Sequence, residues 1–284
     1  MVKNVVVLGA SGMLGHKMLQ ILSEDFNTSG TLRKHNSSPI LEPYCLYENI
    51  EAGNFSTLTG ILKNVDVIVN CIGIVKQLPE SNDWNISHAI NTEFPHKLST
   101  YASTHGIQLI HISTDCVFDG QKGMYTENDI PNAIDIYGRT KFAGEVRDAL
   151  TLRTSIIGRE INTRHGLLEW FLSKQGMKVQ GYKESVFSGV TTNELSYLVS
   201  ELIYWMDDLT GVYHVASTPI NKFDLLTNIN QYIDNKIEIE PVAGEIINRS
   251  LDGTKLRRVI GYTPPSWDEM IDEMMVDNTE YGDK

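Results

Sequence analysis

Residues 2–15 read Val2-Lys3-Asn4-Val5-Val6-Val7-Leu8-Gly9-Ala10-Ser11-Gly12-Met13-Leu14-Gly15. A valine-rich apolar run that stops at a glycine reads as a strand covered on both faces, the kind found in a parallel sheet. Helical spacing follows at Met13, Leu14, Met18, Leu19 and Leu22. The glycine-rich turn therefore lies between the first strand and the first helix. Gly9 permits the tight turn, Gly12 lets the backbone approach a diphosphate, and Gly15 allows close helix–strand packing. The helix N-terminus adds oriented N–H donors and a partial positive charge. The spacing alone is weak; its position in the first strand–turn–helix unit makes it a dinucleotide-binding signature. Gly9, Ser11, Gly12, Met13, Leu14 and Gly15 are the cofactor contacts expected here.

The same alternation continues outward. Apolar runs at residues 65–71, 107–112 and 152–157 alternate with helical stretches at 84–104 and 136–150. Buried strands separated by amphipathic helices predict an α/β fold with a doubly wound parallel sheet. Beyond residue 158 the order loosens. Helical patterns at 167–174, 193–206 and 222–232 surround one strand pattern at 212–215, which reads as a smaller lobe that returns to the sheet. Tyr197, Leu198, Leu202 and Trp205 are expected to share a packing face. The acidic helix around residues 268–273 reads as a solvated face, and residues 277–284 as a frayed polar tail.

Composition narrows the function. The 284 residues are 41% hydrophobic and 21% charged, an ordinary globular balance that needs no disulfide or metal staple. A formal net charge of −12, without clustered Lys and Arg, argues against a nucleic-acid partner. The three cysteines, Cys45, Cys71 and Cys116, have neither disulfide nor zinc spacing and fit a reducing cytoplasm. No run approaches the length of a membrane span, and no secretory signal pattern is present. The eight histidines show no helical metal-pair spacing, so no metal site is expected. His111, within a strand, reads as a core histidine.

Cofactor choice is read at the end of the second strand, where an acid would take a ribose 2′-hydroxyl and an Arg a 2′-phosphate. The segment is Thr31-Leu32-Arg33-Lys34-His35, with no acid. Arg33 and Lys34 favour NADPH, with NADH as the alternative.

Ile110-His111-Ile112-Ser113-Thr114-Asp115 ends a buried strand in hydroxyls and a carboxylate, and Tyr137-Gly138-Arg139-Thr140-Lys141 follows on a helix. Tyr137 and Lys141, four apart, project from one helical face. The chemistry this suggests is carbonyl reduction or its reverse. Tyr137 passes a proton to the carbonyl oxygen, Lys141 lowers the phenol pKa, and Thr114 steadies the oxygen. A second Tyr-x-x-x-Lys match, Tyr232 and Lys236, lacks the hydroxyl-bearing strand end and reads as a surface pair.

Together, Gly-Ala-Ser-Gly-Met-Leu-Gly, Ser113-Thr114-Asp115-Cys116-Val117-Phe118-Asp119-Gly120 and Tyr137-Gly138-Arg139-Thr140-Lys141-Phe142-Ala143-Gly144-Glu145 resemble the extended short-chain dehydrogenase/reductase superfamily. Within it the chain is most similar to the dTDP-4-dehydrorhamnose reductase family. Leu152-Arg153-Thr154-Ser155, Gly211-Val212-Tyr213-His214 and the stretch from Arg249 to Lys255 carry further echoes. The resemblance implies a Rossmann core over residues 1–157 and, over 158–284, a C-terminal lobe for a nucleotide-sugar substrate, with an interleaved boundary. It implies reduction of a 4-keto-6-deoxyhexose by NAD(P)H in surface-polysaccharide synthesis, and a homodimer is compatible with it. Carried over, Thr114 and Tyr137 flank the keto oxygen, Lys141 also holds the nicotinamide ribose, and Cys71, Ile72 and Gly73 line the cofactor. Asp115, Cys116 and Arg153 join Thr114 and Tyr137 on the substrate side. Two positions depart from the family. Cys116 replaces the usual tyrosine after Ser-Thr-Asp, and Ile156 replaces the common aromatic after Arg-Thr-Ser, which leaves dTDP- and UDP-linked sugars, with or without a 2-acetamido group, open. An epimerase that keeps its cofactor, and a silent NADP-binding subunit like that of methionine adenosyltransferase, are the alternative readings.

Overall fold

The computed structural model describes residues 2–281; Met1 and residues 282–284 lie outside it. Seven parallel strands form the central sheet: β1 (Asn4–Leu8), β2 (Asn27–Thr31), β3 (Cys45–Tyr47), β4 (Val67–Asn70), β5 (Gln108–Thr114), β6 (Leu150–Thr154) and β7 (Gly211–His214). Their spatial order is β7-β6-β5-β4-β1-β2-β3. The order reverses between β1 and β4, and the crevice beyond their C-terminal ends is where such a sheet binds a ligand.

The apolar run in β1 is buried on both sides, as its continuous valines predict. Val5 and Val7 join one core with Val67, Val69 and Ile110, whereas Val6 and Leu8 join a second with Ile68 and Leu109. On the first face lie α1 (Met13–Asp25) and α4 (Thr192–Trp205), and on the second α2 (Phe94–His105). Each buried Leu or Met in these layers contributes roughly 1.5–3 kcal/mol. Further helices are α3 (Ile136–Ala143), α5 (Lys222–Asn230) and α6 (Trp267–Val276). The C-terminal half adds small sheets of two or three strands, one joining residues 185–187, 220–221 and 247–248. Because β7 pairs with β6 in the main sheet, the two halves of the chain interleave. No helix among the described residues is long and apolar enough to cross a membrane.

The structure corrects several expected elements. Residues 84–104 do not form one regular helix: Trp84–His88 passes through a π-helical turn at Ala89–Glu93 before α2. The stretch beginning at Ile136 stops at Ala143, because Gly144 packs on residue 91, where a Cβ would lie 1.8 Å from the Asn91 carbonyl oxygen. The strand expected at 152–157 runs instead from Leu150 to Thr154, and residues 156–157 pair separately with 190–191. In α4, Tyr197 and Trp205 are 41% and 74% exposed; the packing face is Leu195, Leu198, Val199, Leu202 and Ile203. In α6 the acidic residues Asp268, Glu269 and Asp272 do face solvent, while Trp267, Met270, Ile271 and Met274 are buried. Residues 277–281 are not a free tail. They lie on α1, anchored by the Lys17–Asp277 ion pair. The rest of the expected tail, residues 282–284, lies outside the described residues.

Candidate active site

The glycine turn leaves β1 at Gly9, whose φ of +83° only glycine adopts without strain. A Cβ on Gly15 would lie 2.0 Å from the Gly9 carbonyl oxygen, so this position sets how closely α1 approaches β1. Gly12 is the N-cap of α1 and offers no side chain to the first-turn N–H groups, and no acid lies in that turn. Those donors remain directed at whatever occupies the mouth of the turn. Ser11 and Gly12 are exposed and Met13 is half-buried. The side chain of Leu14 is buried in the core, so only its backbone is available to a ligand. Arg33 and Lys34 are exposed just beyond β2.

Across the switch point, Cys71, Ile72 and Gly73 follow β4. Asn70 accepts a hydrogen bond from the Ile72 N–H at 3.1 Å. A Cβ on Gly73 would stand 3.3 Å from Asn91 and 3.7 Å from the Lys141 Nζ. Burial pushes the Cys71 thiol up to about 12, against a small opposing effect of Lys141, so it stays protonated and serves as wall. Asn91, in the π-helical turn, accepts from the Ile74 N–H at 2.8 Å and donates to the Thr140 hydroxyl at 3.3 Å. It braces the Cys71–Ile74 loop against α3, a role that no local pattern announces.

Thr114 ends β5. Its hydroxyl donates to Asp115 at 3.2 Å and accepts from the Cys116 N–H at 3.1 Å, and it is close enough to the Tyr137 phenol to act on its pKa. Asp135 caps α3 by accepting from the Gly138 N–H at 2.8 Å. A Cβ on Gly138 would lie 2.2 Å from the Cys116 carbonyl oxygen, so glycine there lets α3 abut the turn and seats Tyr137 against Thr114. One helical turn on, Lys141 is buried and donates to the Ile112 carbonyl at 2.8 Å.

The electrostatics differ from the expectation. Burial raises the Tyr137 phenol pKa, and Cys116 and Asp115 add to the rise against an opposing effect of Thr114. Lys141 is itself lowered to about 8 by burial, despite Glu145 and Cys71. The Lys141 ammonium is turned to the Ile112 carbonyl, and the larger influences on the phenol are burial, Cys116, Thr114 and the Asp115 and Asp135 carboxylates. Tyr137 is instead held protonated at neutral pH, the state a proton donor needs.

Asp115 and Cys116 line the same turn, and burial raises both pKa values, that of Cys116 to about 12. Arg249, Lys222 and Lys76 lie around them. Arg249 lowers Asp115 and Cys116, and Lys222 feels Arg249, Cys116, Asp115 and Lys76. Arg249 is held by the Phe118 carbonyl at 2.9 Å and Lys76 by Asp135 at 2.9 Å. Sequence reasoning missed Lys76 and Lys222 as site residues, because they sit far apart on elements that only the fold brings together. Three cations on a chain of net charge −12 make a local positive rim.

Arg153 is not brought to this site. It is 2% exposed and pairs with Glu145 through two bonds, of 2.7 and 2.6 Å. Its remaining amino group lies 3.0 Å from His214 Nε2, and its face lies 5.2 Å from the Phe118 ring centroid. Ser113 donates to the same Glu145 at 2.7 Å. His214 Nδ1 donates to the Tyr125 carbonyl at 3.0 Å, which leaves Nε2 to accept from Arg153. The expected substrate ligand is therefore an internal tie between β5, β6, β7 and the segment after α3.

Burial and the neighbouring Arg153 depress His214 to about 3, and burial together with Lys141 depresses His111 well below its usual value. A histidine depressed in the folded chain stabilises it fully above about pH 6.5, and that stability is lost as pH falls toward the folded value. Each group can then contribute up to about 1.4 kcal/mol per pH unit. The denaturant midpoint is expected to fall between pH 7 and pH 5, and to fall less in His214→Gln. Equal falls in the two proteins would remove His214 as a cause.

Among the described residues no group of three or more His, Cys, Asp or Glu side chains could hold a metal. What the crevice offers is a protonated phenol and a hydroxyl beside a helix N-terminus at the switch point of a doubly wound sheet. That combination defines the class, an extended short-chain dehydrogenase/reductase.

Comparison with known proteins gives the family. The RmlD substrate binding domain model matches residues 3–280, and the chain belongs to that family. A probable low-salt glycan biosynthesis reductase, Agl14 of Haloferax volcanii, is 29% identical over 226 residues, 74% of this chain and 73% of that protein. A dTDP-4-dehydrorhamnose reductase of Aggregatibacter actinomycetemcomitans is 22% identical, covering 94% of this chain and 96% of its own length. Among solved structures, dTDP-4-dehydrorhamnose reductase from Bacillus anthracis in complex with NADP superposes with a TM-score of 0.79 at 22% identity, over 97% of this chain and 99% of that one.

Proposed function

We propose that this chain is an NADPH-dependent reductase of the 4-keto group of a nucleotide-linked 6-deoxyhexose, in the cytoplasmic synthesis of surface glycans. The observation that carries the reading is Thr114, at the end of β5, facing the Tyr137 phenol of α3, together with an uncapped glycine-rich turn at the start of α1. The crevice suits the cofactor: Gly12 and Gly73 present backbone where a side chain would intrude, and the first-turn N–H groups of α1 face it without a capping partner. Gly9, Ser11, Gly12, Met13 and Gly15, with the Leu14 backbone, would hold the diphosphate. Cys71, Ile72, Gly73 and Lys141 would line the nicotinamide side, and Arg33 with Lys34 the adenosine 2′-phosphate. When bound, NADPH supplies hydride to the carbonyl carbon.

The chain's own residues do the rest. Thr114 and Tyr137 hold the keto oxygen, and Tyr137 passes its phenolic proton to that oxygen as negative charge builds there. The ketone ends as a secondary alcohol. Lys141, lowered to about 8 by burial and so still mainly protonated at neutral pH, stands one turn behind the phenol to return a proton. Lys76, Lys222 and Arg249 offer charge to a nucleoside diphosphate, with Asp115 and Cys116 against the sugar. The short Cys116 side chain leaves room for a 2-acetamido group. A silent regulatory subunit would have no use for this intact phenol–hydroxyl pair.

The test is nicotinamide absorbance with NADPH and a panel of dTDP- and UDP-linked 4-keto-6-deoxy sugars, with and without a 2-acetamido group. Oxidation with one of them supports the reading and identifies the sugar. Tight NADPH binding with no oxidation across the panel overturns it in favour of an epimerase or a regulatory subunit. Cofactor preference has its own check: Arg33→Ala is expected to weaken NADPH more than NADH, by about tenfold for the loss of one charge-assisted hydrogen bond. Equal weakening of the two would show that Arg33 does not read the 2′-phosphate.

A further inference from the structure

The C-terminal segment returns to the turn where the chain began. Beyond α6, Asp277 accepts from Lys17 Nζ at 2.5 Å and from Asn193 Nδ2 at 3.2 Å. The Thr279 hydroxyl accepts from Lys17 at 3.1 Å and Gln20 at 3.3 Å. Lys17 is only 4% exposed, so the segment satisfies a buried cation on α1. It then delivers Tyr281 to the start of the same helix. The Tyr281 ring centroid lies 4.4 Å from the Arg159 guanidinium carbon, and its hydroxyl lies 2.8 Å from His16 Nε2. His16 is fully buried, and its other nitrogen, Nδ1, lies 2.8 Å from the Gly12 carbonyl oxygen.

The donor directions follow from the chemistry of the groups. A carbonyl only accepts, so His16 Nδ1 carries the hydrogen. Nε2 then pairs with the Tyr281 hydroxyl, so the ring is held at both nitrogens. The Gly12 carbonyl also receives the His16 backbone N–H at 3.1 Å. Two donors thus fix one oxygen, and with it the plane of the peptide that joins Gly12 to Met13. The N–H of that peptide belongs to the uncapped first turn of α1.

We propose that Tyr281 is a positioning residue for the dinucleotide: through His16 it holds the Gly12–Met13 peptide in its binding orientation, so the C-terminal segment sets cofactor affinity. The proposal rests on the reading that this turn binds NADPH. A merely structural strap would lower stability without changing affinity at temperatures where the chain is folded.

The experiment uses the full-length chain as wild type, Tyr281→Phe, His16→Leu and the double variant, with NADPH affinity from fluorescence titration and thermal unfolding measured in parallel. Tyr281→Phe removes one hydroxyl and keeps the ring on Arg159. Its NADPH Kd is expected to rise about threefold to tenfold, the scale of one hydrogen bond, with Tm moved by less than about 3 °C. In the His16→Leu background the same substitution is expected to add nothing, because the path to Gly12 is already cut. Equal Kd values for wild type and Tyr281→Phe would overturn the proposal, as would fully additive losses in the double variant. Failure of the wild-type chain to bind NADPH would overturn the cofactor reading and this proposal with it. That failure shows in the unmutated protein, so it is distinguishable from failure of the proposal alone.

Discussion

Tyr137→Phe is expected to lose turnover by about 10²-fold or more while still binding NADPH. Phe fills the same space on α3, so the helix, capped by Asp135, has no reason to move. The Thr114 hydroxyl keeps its bonds to the Cys116 N–H and to Asp115, so no buried polar group is orphaned. What disappears is the one group poised to protonate the keto oxygen. Its raised pKa keeps that proton in place at neutral pH. The measurement is kcat with the keto sugar beside a separate NADPH titration. Unchanged turnover would remove Tyr137 from the mechanism, and a matched loss of cofactor binding would make its role one of architecture.

Arg153→Leu is expected to destabilise the chain by about 3–5 kcal/mol, the cost of leaving one member of a buried ion pair without its partner. For a protein of this size that corresponds to a fall in Tm of roughly 5–8 °C. Glu145, 9% exposed, would keep only the Ser113 hydroxyl, and His214 Nε2 would lose its donor. Replacing both members of the pair, Arg153→Leu with Glu145→Met, is expected to recover much of the loss, because well-packed apolar groups need no charge partner. A variant Arg153→Leu that melts with the wild type but shows a higher KM for the sugar would restore Arg153 to the substrate side.

Much of the fold was legible because its signals are local. The valines of β1, the glycines after it and the apolar spacing of α1 all lie within about two dozen residues, and β1 is buried on both faces as that run predicts. Thr114, Tyr137 and Lys141 were legible for the same reason: a strand end and a four-residue spacing on one helix carry the pattern. Errors arose where a distant partner overrode a local preference. Helical spacing ran past residue 143, but the contact of Gly144 with residue 91 ended the helix. The polarity of residues 277–281 suggested solvent, but Lys17 and His16 were waiting on α1.

By itself the sequence determined the class of fold, the place of the glycine-rich turn between β1 and α1, and the candidate phenol on α3, since periodicity and turn chemistry act between near neighbours. Only the tertiary structure decided what each charge does. It buried Arg153 against Glu145 and against His214, 61 residues away, and gathered Lys76, Lys222 and Arg249 around Cys116. It also turned Lys141 toward the Ile112 carbonyl and brought Tyr281 back across 265 residues to His16. The physical reason is that a charged or polar side chain takes its role from its surroundings. Desolvation and partner distance depend on elements that meet only when the sheet is complete.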